Sequence, residues 1–202
     1  MSFRLLVEGS DDFHLVKNVL RAHGVTLDQR EIHNCGGLEI LLDQSLPQHL
    51  RASYDAIGVI VDADLDIESR WQSVSARLKE AGYEVPETPP SDGLIVTTHP
   101  PVVGVWLMPN NSLPGTLEDF VERLIDPADA LWPYAKACVA SIPMPRRFRE
   151  AAERKAEIHT FLAWQEEPGT PLGLAVTKKY FQTDVALVHS FLAWVNRLRT
   201  SK

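Results

Sequence analysis

The chain has 202 residues, enough for one sizeable α/β domain or a domain with a small appendage. Its 45% apolar and 23% charged composition is that of a globular protein, and no apolar run approaches the length of a membrane span. A formal net charge of −7 excludes a protein that coats nucleic acid by bulk electrostatics, yet leaves room for an acidic site that meets phosphates through metal ions.

Phe3 to Val7 is predicted as the first strand, followed by a helix from an N-cap at Ser10 to about His23, stopped by Gly24. "REIHNCGG" is a candidate second strand, and "LEILLDQSLPQHL" is expected to be helical until Pro47 breaks it. "AIGVIVDAD" is the clearest strand, apolar on both faces as a central parallel strand is. An amphipathic helix, "IESRWQSVSARLKEAG", comes next, then strands in "GLIVTT" and "VVGVWLMP". This alternation predicts βαβ units and a largely parallel sheet up to about residue 110. Beyond it, "TLEDFVERLI", "ALWPYAKACVASI", "PRRFREAAERKAEIHTFLAWQ" and "DVALVHSFLAWVNRLR" predict helices. "EEPGTPLGLAVTKKYFQT" between the last two reads as a long, functional loop. The expectation is a single domain over 1–202, with a sheet-bearing core at 3–110 and a helical extension at 111–202 packed on it. Trp71, Trp106, Trp132, Trp164 and Trp194 fall in apolar patterns and are expected in the core.

Two strands end in acids. Leu5, Leu6 and Val7 run into Glu8, and "GVIVDADLD" delivers Asp62, Asp64 and Asp66. Ligands of open parallel sheets bind beyond the carboxyl ends of the strands. Period-two spacing points the three aspartates one way while the chain stays extended. Gathered carboxylates repel one another, and a hard cation makes the arrangement favourable. Mg²⁺ or Mn²⁺ is the implied cofactor. An EF-hand is excluded, because Ile67 and Ser73 stand where its glycine and glutamate belong. Asp66 also suits the N-cap of the helix beginning near Ile67. Histidines show no zinc spacing, and GxxxxGK[ST], GxGxxG and GxSxG are absent.

"LLVEGSDD" followed about fifty residues on by "VIVDADLD" resembles a Toprim domain, over roughly residues 3 to 110. The resemblance implies a Toprim, Rossmann-like α/β fold, a mainly parallel sheet sandwiched by helices, here with additional C-terminal helices. It assigns Glu8 as general acid/base or metal ligand and Asp62 and Asp64 as metal ligands, with Asp66 as a frequent third. No tyrosine-bearing, zinc-binding or ATPase part accompanies the domain, so the chain is similar to small standalone Toprim proteins. OLD-type nucleases of the same class add a later acid and a lysine. "LPGTLEDF" offers Glu118 or Asp119, and "ERKAEIHTF" offers Lys155. Thr116 to Asp119 equally fits a capping-box variant, and Lys155 sits on a helix dense in i,i+4 charge pairs. Lys178 and Lys179, at the basic end of the long loop, are candidate phosphate contacts from a lid.

Two readings follow. One is a metal-dependent phosphodiester-cleaving or phosphoryl-transferring enzyme, a nuclease acting on DNA or RNA, with Lys155 supplying charge to the transition state. The other is a non-catalytic module of the same fold that binds a nucleotide or phosphate through Mg²⁺ to regulate a partner. A third is a Rossmann-like scaffold that keeps its acids without using them. Cys35 and Cys138 lack CxxC spacing, and the first apolar segment begins too early for a secretory leader, so a cytoplasmic protein with nucleic acid or nucleotide as partner is expected.

Overall fold

Five strands form one sheet in the order β2-β1-β3-β5-β4 in the computed structural model, which describes residues 2–201. β1 (Phe3–Val7), β2 (Ile32–Asn34), β3 (Ala56–Asp62) and β5 (Val102–Met108) are parallel, and β4 (Leu94–Val96) is antiparallel to β5. The α/β expectation and all five predicted strands are borne out. The chain leaves β1 toward β2 and then crosses back to β3 on the other side of β1, so the order reverses between β1 and β3. That reversal sends the connecting helices to opposite faces and opens a crevice at the carboxyl ends of these two strands.

Alternation along the strands splits the core in two. Leu5, Val7, Ile60 and Trp106 face α1 (Ser10–Ala22) and the C-terminal helices. Leu6, Val59, Val61 and Val105 face the helical segment α2 (Leu38–Ile40) to α3 (Leu46–Leu50) and α4 (Ile67–Glu80). Pro47 does not break that segment. A π-helical turn at Leu41–Ser45 precedes it, and the backbone stays helical through Ser45 and Leu46 and on to Leu50.

The second half gives α5 (Leu117–Glu122), α6 (Leu131–Ala140), α7 (Glu153–Ala163), α8 (Leu172–Thr177) and α9 (Ala186–Thr200). α7 is shorter than expected, entered through a 3₁₀ turn at Glu150–Ala152. α9 crosses β3 and β5 where Gly58 and Gly104 lie directly opposite each other. A Cβ on Gly104 would stand 2.9 Å from Leu198 Cδ2 and 3.1 Å from Trp194 Cζ2, so the paired glycines form a notch for this helix. Trp194 also donates its indole N–H to the Leu94 carbonyl at 2.9 Å. Trp164 departs from the expected core position and is exposed. No helix of the described residues is long and apolar enough to cross a membrane.

The expected long loop contains α8, and α8 packs along α1. Its contact point is Gly173, whose Cβ would stand 2.7 Å from the His14 carbonyl carbon. Only a residue without a side chain lets the two backbones approach this closely.

Candidate acidic site

Glu8 follows β1 and Asp62 ends β3, so parallel pairing brings both acids to the crevice at the strand-order reversal. The Asp62 N–H donates to Glu8 Oε1 at 2.7 Å. Asp62 Oδ1 in turn accepts the Leu117 N–H at 2.8 Å, which hangs the start of α5 on the end of β3. At that start Asp119 accepts the Thr116 N–H at 2.8 Å, and the Thr116 hydroxyl donates to Glu118 Oε2 at 2.9 Å. The capping pattern read from Thr116 to Asp119 is therefore real, and it does not exhaust the role of Glu118. Glu118 is only 8% exposed and faces a cavity of about 440 Å³ shared with Asp11, Asp12, Asp62 and Lys155.

Lys155 reaches this cavity from α7. Its Nζ lies 3.2 Å from Glu118 Oε1 and 3.1 Å from Asp11 Oδ2. Neighbouring Arg154 ties α7 to α5 through Asp119 at 3.1 Å and Glu122 at 3.0 Å, which fixes the helix that carries the lysine. Partial burial works to lower the Lys155 ammonium, but Glu118 and Asp11 outweigh it and the net shift is upward.

The carboxylates crowd one another. Burial pushes the Asp62 carboxyl up to about 9, with further repulsion from Glu8, Asp12, Glu118 and Asp64. Burial raises Glu8 to about 7, opposed by the Asp62 N–H. Asp12 rises to about 6 for the same first reason, with Glu118 and Asp11 adding to it. Asp12 is 8% exposed; its Oδ2 accepts the Gly9 N–H at 3.1 Å, while Oδ1 is buried without a hydrogen-bond partner. Asp11 and Asp12 carried no assigned role in the sequence, where they stand only as two acids in the first turn of a helix.

Asp64 and Asp66 do not share a face with Asp62. The strand ends at Asp62, and Asp64 takes φ 53 while its backbone pairs with Gly115, so the period-two argument lapses. The Asp64 carboxylate forms an ion pair with Arg70 at a neighbouring cavity of about 430 Å³. Asp66 caps α4, its Oδ1 accepting the Glu68 and Ser69 N–H groups at 3.0 and 3.1 Å. Lys178 and Lys179 do not overhang the acids. Lys178 pairs with Glu167, and Lys179 lines a cavity with Arg21 and Ala22 at the far end of α1. The packing of α8 on α1 holds both lysines there.

A small hard cation suits the donors present. All are carboxylate oxygens, one of them orphaned and buried, and their mutual repulsion is what a divalent ion relieves. Among the described residues no three His, Cys, Asp or Glu side chains converge into a ready-made cage. An ion that keeps several waters needs only one or two protein carboxylates, so the set fits Mg²⁺ or Mn²⁺ better than a fully protein-ligated metal.

No curated protein and no solved structure matches the chain. A family described as DUF3226, protein of unknown function, matches residues 2–200, nearly the whole of the α/β unit that builds the acidic cavity, and the chain belongs to that family.

Proposed function

We propose that the protein is a metal-dependent phosphodiester-cleaving or phosphoryl-transferring enzyme of the Toprim type, a nuclease acting on DNA or RNA. One observation carries this reading: Glu8, Asp12, Asp62 and Glu118 repel one another at a single crevice that also receives Lys155. Folding gathers such groups at a cost, and a site that uses a cation accounts for it. The resemblance of "LLVEGSDD" and "VIVDADLD" to Toprim motifs supports the same assignment.

One or two of Asp62, Asp12 and Glu118 would hold Mg²⁺ or Mn²⁺, with Glu8 as further ligand or as general acid/base. Bound there, the ion supplies Lewis-acid activation of water and of the phosphoryl oxygens. Lys155, held by Glu118 and Asp11, keeps a positive charge at the cavity wall, where negative charge accumulates on a transferring phosphoryl group. Asp64 joins the set only if its pair with Arg70 opens.

The test is incubation of labelled DNA, RNA and nucleotides with Mg²⁺ or Mn²⁺. Metal-dependent turnover that vanishes in Glu8→Gln is expected. Metal-dependent nucleotide binding without turnover on any substrate would instead establish the regulatory module. Neither binding nor turnover would end both readings.

A further inference from the structure

α6 is apolar on two sides. Trp132, Ala135 and Val139 face the core, as one side of a surface helix does. Leu131, Tyr134 and Cys138, spaced i, i+3 and i+7, form a second stripe that is exposed, and Ile142 continues it past the helix end. The only charged side chain of the helix, Lys136, leans over Trp132 toward Glu122 and leaves the stripe bare. Tyr134 stands 70% exposed, and Met144, just beyond Ile142, 79%. Trp132 meets the Phe161 ring edge-on at 5.9 Å, which lays the end of α7 beside the start of α6. Trp164, exposed where a core position was expected, stands just past that end of α7. A helix that is apolar all round is covered all round in a stable protein, and an exposed patch of this kind marks a partner.

We infer that a second copy of this chain covers the stripe, with α6 packed antiparallel on the partner's α6 about a two-fold axis. The flanking charges select this occupant. Before α6, residues 122–130 hold three acids (Glu122, Asp126 and Asp129) and one base, Arg123; after it, residues 141–149 hold three arginines and no acid. Among the described residues Asp126, Asp129 and Arg147 form no ion pair. An antiparallel pair that sets Leu131 against the partner's Ile142 sets Tyr134 against the partner's Cys138. The same register carries Asp126, five residues before Leu131, toward the partner's Arg147, five residues after Ile142. Two-fold symmetry makes each of these contacts twice, and it opposes the two helix dipoles. A parallel pair would bring like charges together at both ends, and an anionic membrane would meet the acids at one of them. The stripe runs about 15 Å along α6, which puts the interface at the small end of specific ones and its dissociation constant in the micromolar range.

The test is sedimentation velocity of the full chain between about 1 and 100 µM. Wild type should pass from one to two chains across this range. Tyr134→Glu, at the centre of the stripe, should weaken the dimer about thirtyfold, the loss of a central aromatic anchor. Arg147→Glu should weaken it about tenfold, through two symmetry-related pairs, and less so at high salt. Both side chains are exposed, so the circular-dichroism melting curves should keep their wild-type form. Cys35 is buried and Cys138 exposed, so a short bis-maleimide reports on Cys138 alone. The antiparallel register sets the two Cys138 about 6 Å apart along the axis and about 9 Å across it, and a covalent dimer that Tyr134→Glu suppresses is expected. A chain that stays monomeric at the highest concentration overturns the inference, whether or not it then binds lipid vesicles. A dimer indifferent to both variants, or one in which Cys138 does not cross-link, overturns it as well. Should Tyr134→Glu fail to fold, Arg147→Glu and the cross-link decide.

Discussion

Asp62 is pulled two ways. Its carboxylate accepts the N–H that anchors α5, which favours the charged form, while burial and four neighbouring acids favour the neutral one. The second influence wins, raising the group from an ordinary 3.8 to about 9, with Glu8 raised to about 7 and Asp12 to about 6. A carboxyl raised on folding binds its proton more tightly in the native state. Its stabilisation is therefore complete below the unfolded value near 4 and is lost as pH climbs through the folded value. In EDTA the denaturant midpoint should fall between about pH 4 and pH 9. Asp62→Asn keeps an oxygen for the Leu117 N–H and removes the charge, so at pH 8 it should be more stable than wild type by on the order of 1 kcal/mol. A wild-type midpoint that rises over this range would contradict the repulsion. Glu8 and Asp62 were legible in the sequence because an apolar run that stops at an acid marks a strand end. Glu118 and Lys155 emerged only through resemblance to a family. The fate of Asp64 turned on where the strand stopped, and side-chain alternation says nothing about that.

The glycines of β3 and β5 act at the scale of elements. Gly58 and Gly104 face one another in register, and α9 presses Trp194 and Leu198 into the flat surface they leave. Gly104→Val has the β-branched residue that a strand normally favours, yet it should destabilise the protein by about 1–3 kcal/mol through overpacking. A denaturant midpoint equal to wild type would show that α9 does not seat there. Strand positions were legible from their apolar runs, but the meaning of the two glycines was not, since a contact between residues ninety apart leaves no local signal. α8 was hidden for a related reason. Two prolines and two glycines punctuate its surroundings, and six residues are too few to be helical alone. Contact with α1 makes the helix, and the glycine that reads as a loop marker is what permits that contact.

At the scale of the whole molecule, a cation that binds only the native state stabilises it by RT ln(1 + [L]/Kd). At a hundredfold excess over Kd that amounts to about 2.7 kcal/mol, or a melting rise of about 5–10 °C for a chain of this length. Mn²⁺ should produce this shift in wild type and much less in Asp62→Asn, at fixed ionic strength so that screening of the net charge of −7 is held constant. Equal shifts in the two proteins would remove the metal from the acidic site. The notch between β3 and β5 has one more consequence, for how the protein is made. A ribosome completes both strands long before it reaches Trp194 and Leu198. Until then the nascent chain displays an uncovered apolar slot at the middle of its sheet. The central strands are thus finished early in synthesis and sealed late, and the interval between is when a chaperone has most to hold.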